Sequence, residues 1–356
     1  MTALLDAQDE AAALEYLHAN DCTDGLPVVI PTPERVERMV LASGLDADID
    51  LGPMGPGGGA TTIAKIAANA VMAGCLPDYM PVVVAGINAI LQPAFDLTEV
   101  QGTTHSIAPL MIVNGPMIAG CDIASGFGAL GPGHRANASI GRAVRLCMMN
   151  IGGARPGTSD MALLGHPGKF SFCLAEDEAS SPWEPLAASY GYAAEQSVVT
   201  IVGTEAPHSV VFVNDADDPD SPQRLLRALA RVVANTGSNN AILRGGTVAI
   251  ALNPEHAAVL GKAGLDRSDA QKRVAALATN PRGLVRSLNP GFGRDGDPDE
   301  ELSSVDGPDN VVVFVAGGSG LYSAVFPSWA AGAHGNPVVH APIETDQACV
   351  IPSRVE

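Results

Sequence analysis

The sequence predicts an α/β fold built from two α/β halves, each a parallel or mixed sheet flanked by helices. Three observations predict it. Short apolar runs rich in β-branched residues (APLMIVN, SVVTIVG, GTVAIAL, NVVVFVAG) alternate with helical stretches, the pattern of strands covered by helices. Of 356 residues, 46% are hydrophobic and only 17% charged, enough for a core larger than a single small domain holds. A strand, Pro-Glu, helix, Gly-Leu unit also occurs twice, as PVVIPTPERVERMVLASGL and TVAIALNPEHAAVLGKAGL. That echo fits either an internal duplication or two independent βα units. The expected division is an N-terminal half, 1–195, carrying a Gly-rich loop and an Arg-bearing helix, and a C-terminal half, 196–356.

In chain order, residues 1–20 read as a helix with Leu4, Leu5, Ala12, Leu14 and Leu17 on an apolar stripe. DGLPVVI reads as a short buried strand. The helix after it is capped by Thr32, opens at Pro33 and stops at Gly44, the usual asymmetry of helix ends. LGPMGPGGGATT reads as a loop. Residues 60–73 and 81–91 read as helices apolar on all sides, hence buried. APLMIVNGP is a core strand, and SGFGALGPG leads into the helix HRANASIGRAVRLCMMN. Residues 152–196 are irregular, and loops that long are more often functional than decorative. Beyond them SVVTIVG, HSVVFVND, GTVAIAL, NVVVFVAG and NPVVHAPI read as strands, with helices at 221–235, 254–263, 267–278 and about 319–332.

Charge excludes some functions. A net charge of −19 argues against nucleic-acid and anionic-membrane binding. The acidic start lacks the basic and apolar regions of a signal peptide. Val100–Cys121, a long charge-free stretch, is too polar for a membrane span. Six scattered cysteines without a CxxC pair point to a reducing cytoplasm, and Cys75 and Cys173 to buried, inert thiols.

One window runs against the overall charge. From Val100 to Ser159, Arg135, Arg142, Arg145 and Arg155 face a single acid, Asp122. Arg135 and Arg142 are seven apart on one helix, Asn137 lies between them, and Gly131-Pro132-Gly133 precedes the helix start. Helix starts and guanidinium forks both favour anions, so this region is expected to grip a small anionic, carboxylated metabolite. The alternative is that these arginines pair with acids elsewhere. Gly126–Gly131 matches GxGxxG but has neither the preceding strand nor the later acid of a dinucleotide fingerprint, which argues against NAD or FAD.

His105 (in QGTTHSIAP) and His208 (in GTEAPHSV) are the preferred proton carriers, set among Thr103, Thr104, Thr204 and Glu205. Glu176 and Glu178 follow an apolar strand and precede Trp183, a setting that raises a carboxyl pKa and makes an acid. Lys65 and Asn69 share one face of an otherwise apolar helix and need a partner, either an acid or a substrate carboxylate. No HExxH occurs, so any metal is expected to assemble from distant candidates such as His105, His208 and Glu176. The cofactor expectation is therefore none or a divalent metal.

The strings KIAANAVMAGCLPDYMPVV, QGTTHSIAPLMIVNGP, GALGPGHRANASIGRAVRL, PGKFSFCLAEDEASSPWEP and AGGSGLYSAVFPSW together resemble a bacterial protein family associated with the UGSC (seleno)proteins. In those, selenocysteine or threonine precedes Gly-Ser-Cys. The resemblance spans nearly the whole chain and implies thiol or selenol redox chemistry in some relatives. This chain has no Gly-Ser-Cys; its nearest string is Thr236-Gly237-Ser238-Asn239.

The leading expectation is an enzyme of lyase type: Arg135 and Arg142 hold the anion, His105 or His208 moves the proton, Glu176 or Glu178 is the partner acid, and Lys65 and Asn69 neutralise an enolate-like intermediate. The other readings are a metal-dependent lyase or hydrolase and a non-catalytic subunit serving a redox partner. The Gly-rich, apolar helices suit a homo-oligomer.

Overall fold

A computed structural model describes residues 6–292 and 295–345. Leu4 and Leu5, named above, and Cys349, one of the six cysteines, lie outside the described residues.

The first part of the chain forms α1 (Glu10–Ala19), α2 (Pro33–Ser43), β1 (Asp50–Met54), β2 (Gly59–Thr62), α3 (Ile63–Ala73), α4 (Met80–Ile90), α5 (Leu97–Gly102), β3 (Ala108–Asn114), α6 (Met117–Cys121), α7 (Arg135–Asn150) and β4 (Cys173–Ala175). The second forms β5 (Val198–Thr204), β6 (His208–Val211), α8 (Ser221–Val233), α9 (Asn239–Leu243), β7 (Val248–Leu252), α10 (Pro254–Lys262), α11 (Arg267–Leu277), β8 (Thr279–Pro281), α12 (Arg282–Leu288), β9 (Glu301–Ser303), β10 (Val311–Val315), β11 (Tyr322–Phe326) and β12 (Val339–Pro342).

Local chemistry explains the ends of α2. The Thr32 side chain accepts from the Arg35 N–H, Pro33 sits in the first turn, and Gly44 closes the helix at φ 69°, where only glycine is unstrained. Three expectations differ from the structure. Residues 27–32 form no strand; β1 and β2 form an antiparallel hairpin inside the supposed loop; and 319–332 holds β11 rather than a helix. In β11, Tyr322 is exposed while Ser323 and Val325 are buried, a period of two that its Gly-Ser-rich flanks disguise.

Two four-stranded sheets run β12-β5-β3-β4 and β10-β7-β11-β6. In each, one outer pair is parallel (β3 with β4, β7 with β10) and the other neighbours are antiparallel. Alternation assigns the faces. Leu110, Ile112 and Leu174 of the first sheet meet Ala249, Ala251, Phe314 and Phe326 of the second in a shared core. Met111, Val113 and Ile201 point the other way, under α3, α4 and α7. Val248, Ile250 and Val313 point under α8, α10 and α11. The molecule is thus layered helix, sheet, sheet, helix, an α/β fold with mixed sheets. Gly141 lets α7 settle onto its sheet, since a Cβ there would lie 2.6 Å from the Phe172 nitrogen.

The two sheets have the same wiring. After β5 the chain crosses to place β6 beside β11 in the other sheet, and after β11 it crosses back to place β12 beside β5. Val198 faces Pro342 and Tyr322 faces Val211. Thr204 lies six residues past Val198, Ser328 lies six past Tyr322, and these two residues bridge each other. They mark an approximate two-fold axis. The wiring places β3 and β7, rather than 27–32 and 247–252, at corresponding positions of the two sheets, and the expected 195/196 division falls just before a strand of the first sheet. That division splits the first four-stranded sheet, with β3 and β4 before it and β5 and β12 after it, and leaves the second wholly within 196–356.

Among the described residues no single helix is long and apolar enough to cross a membrane. The apolar pair Pro77–Ile90 and Pro93–Gly102, bent by 70°, owes its composition largely to burial: Met80, Val82, Val83, Ile87 and Ile90 are fully enclosed in the core.

Candidate functional site

Beside the two-fold axis lies a cavity of about 750 Å³. Switch points between related halves are where α/β folds commonly place ligands. His105 reaches it from the loop between α5 and β3, and Glu205 from the residue after axial Thr204. His105 Nε2 and Glu205 Oε1 are 2.7 Å apart, with the side chains 21% and 31% exposed. Both partners are held at the backbone: the His105 N–H donates to Thr103 Oγ1 at 3.2 Å, and the Glu205 N–H to the Pro327 carbonyl at 3.0 Å. His105 Nδ1 is buried without a partner, and Nε2 is the ring nitrogen that meets Glu205. His208, at the start of β6, lines the same cavity and is exposed.

The loop before α9 supplies another part of the lining. Gly237, Ser238 and Asn239 of the Thr-Gly-Ser-Asn string face the cavity. The string is fixed in place: Thr236 Oγ1 donates to Asn280 Oδ1 at 2.8 Å, Ser238 Oγ donates to the Asn235 carbonyl at 2.7 Å, and Asn239 Nδ2 donates to the Trp329 carbonyl. Asn235, Asn289 and Phe292 also line the cavity. The sequence names His105 and His208 together with Glu205 close by, and all three line this cavity. Asn235, Asn289 and Phe292 carry no sequence signal, being loop residues whose meeting depends on long-range packing.

The expected anion clamp does not form. Arg142 is spent on Asp24, at 2.7 and 2.8 Å, and on the Pro27 carbonyl. Arg135 is exposed and forks onto the Gly74 carbonyl at 3.2 and 3.0 Å. Asn137 is buried, binding Ala124 through both N–H and C=O and also the Ala129 carbonyl. It thereby ties down the Gly-rich loop, whose Gly131 N–H donates to Gly128 at 2.7 Å and whose Gly133 takes φ 116°. That loop follows α6, not a strand.

The remaining candidates also lie apart from this cavity. Lys65 Nζ donates to the Ala60 carbonyl at 2.7 Å, and Asn69 bridges the Lys65 carbonyl and Asn150. Neither meets Glu176. Glu176 is sealed at the end of β4, bound by Arg267 at 2.8 Å, Asn114 at 2.6 Å and the Leu186 N–H at 2.6 Å. Burial raises its carboxyl pKa, against the pull of Arg267. Arg267 in turn sits 5.7 Å from the Trp183 ring. Glu176 and Arg267 thus form a clasp between α11 and the first sheet, with Trp183 over the guanidinium. Glu178 binds Asn114 and the Gly115 N–H, both at 2.8 Å. Of the metal candidates, His105 and His208 share a cavity and Glu176 does not. Among the described residues no group of three or more His, Cys, Asp or Glu side chains is placed to hold a metal ion. Cys75 is buried with its thiol pushed up to about 12, and burial likewise raises Cys173.

Comparison with family models matches none of them to this chain, and comparison with curated proteins returns no match.

Proposed function

We propose that the protein is an enzyme of acid–base type, acting on a small anionic metabolite by lyase-like proton abstraction in the cavity beside the two-fold axis. The observation that carries this reading is the His105–Glu205 pair, 2.7 Å apart and open to that cavity. The pair can take one proton and return it as a unit, the carboxylate open to the cavity and the imidazole hydrogen-bonded behind it. Glu205 replaces Glu176 as the partner acid. Ser238 and Asn239 supply hydrogen-bonding groups elsewhere in the lining. In place of Arg135 and Arg142, Arg231 lines an adjoining recess that shares His208 and Asn235 with the cavity, and it is the cation a substrate carboxylate would meet there.

Proton NMR in D₂O tests this directly. Wild-type protein incubated with a panel of hydroxy, keto and amino acids should wash deuterium into one C–H position. His105→Gln should slow that exchange by roughly 10²–10⁴-fold, the usual worth of a positioned acid–base group. Exchange at the wild-type rate in His105→Gln rejects the assignment.

A further inference from the structure

Of the four arginines in the basic window, three are accounted for: Arg135 on a carbonyl, Arg142 on Asp24, and Arg145 on Asp160 at 2.7 Å. Arg155 is different. It lines a second cavity, of about 660 Å³, between the 18–25 segment and the 155–170 loop. Its Nη1 is buried and has no hydrogen-bond partner. A buried guanidinium nitrogen left unpaired is costly, so an acceptor placed in this cavity would be favoured there.

The charged groups on this wall define that acceptor. Arg145, Arg155, Lys169, His18, His166, Asp21, Asp24 and Asp160 all face the cavity. Asp24 is neutralised by Arg142. Asp160 is shared between Arg145 and Lys169, at 2.7 and 3.0 Å, so one carboxylate balances two cations. Burial alone would raise the Asp160 carboxyl; Lys169 and Arg145 outweigh it and hold it low. His18 is hydrogen-bonded to Thr23, and Asp21 is exposed. Burial, with Lys169 close by, pushes His166 down to about 4, so its ring is neutral near pH 7. The interior therefore carries uncompensated positive charge. The rest of the lining differs in character: Leu164 is 94% exposed and Phe170 47% exposed.

We propose that this cavity is a binding site for a small organic carboxylate, whose carboxylate is gripped by Arg155 with Lys169 and Arg145 behind it and whose hydrocarbon part rests on Leu164 and Phe170. The guanidinium fork matches a planar carboxylate, and the apolar side chains favour an organic acid over inorganic phosphate. This inference is independent of the acid–base proposal, because binding is read with no turnover.

Isothermal titration with hexanoate, acetate and inorganic phosphate tests it. Hexanoate should bind saturably and more tightly than acetate. Arg155→Ala and Arg155→Gln should weaken hexanoate by roughly 10–100-fold, the worth of a charge-assisted hydrogen bond. Arg155→Lys, which keeps the charge and loses the fork, should fall between, and it serves as the readout should the shorter variants fold poorly. Arg135→Ala should leave the affinity unchanged. Absence of saturable hexanoate binding, tighter binding of phosphate, or an affinity indifferent to all three Arg155 variants would overturn the proposal.

Discussion

Two glutamates in this molecule each pair with one basic side chain, and they differ in access. Glu176 is entirely enclosed, its side chain 0% exposed, with Arg267, Asn114 and a backbone N–H filling its coordination. Glu205 is 31% exposed, holds His105, and faces a cavity of about 750 Å³. The side-chain chemistry is the same; access differs. A sealed pair ties elements together, whereas an open one is free to exchange a proton with a ligand. Buried charge and a strong electrostatic setting therefore do not by themselves mark a site. Burial raises the Glu176 carboxyl pKa, but its side chain is sealed from solvent, and Trp183 lies over Arg267.

The largest effect expected from this contrast is on stability. Arg267→Ala leaves the Glu176 carboxyl without its counter-charge in the core, and it should cost about 3–5 kcal/mol in urea unfolding. A cost below about 1 kcal/mol would mean that the clasp does not join α11 to the first sheet.

Next in size is a pH effect at the second cavity. His166 has a native pKa of about 4 against its ordinary 6.5. Between those values the unfolded chain binds the proton and the native one does not, so stability is complete above about pH 6.5 and falls as pH drops toward 4. For a ring only partly buried, this amounts to about 1–2 kcal/mol once solvent screening is allowed for. His166→Gln should flatten the melting-temperature profile in that window, though not abolish its slope, because burial lowers the pKa of His256 and His340 as well. Asp160 acts lower down: its lowered carboxyl contributes stability that disappears only as pH falls below its ordinary 3.8. An unchanged slope in His166→Gln would show that the ring is not held neutral by burial beside Lys169.

Legibility in the sequence followed the range of the interactions. The strands β3, β5, β7 and β10 are continuous apolar runs, and α2 carries its own cap and stop, so local pattern sufficed. The reciprocal exchange of β6 and β12 between sheets left no local trace, because it rests on pairings such as Val198 with Pro342. For the same reason the basic window could be seen but not resolved. Asp24, which neutralises Arg142, lies 118 residues from it in sequence, and Glu205 lies 100 from His105. Composition showed that an excess of arginine existed; only the fold shows that Arg155 is the one without a hydrogen-bonded partner for its buried nitrogen.

The most direct measurement compares two matched variants by both readouts. Glu205→Gln should change unfolding free energy by less than about 1 kcal/mol, as for a solvent-accessible pair, while removing most deuterium exchange. Glu176→Gln should lower stability and, in whatever fraction remains folded, keep the exchange. The account is contradicted if Glu205→Gln exchanges deuterium as fast as wild type, or if it loses stability as heavily as Glu176→Gln.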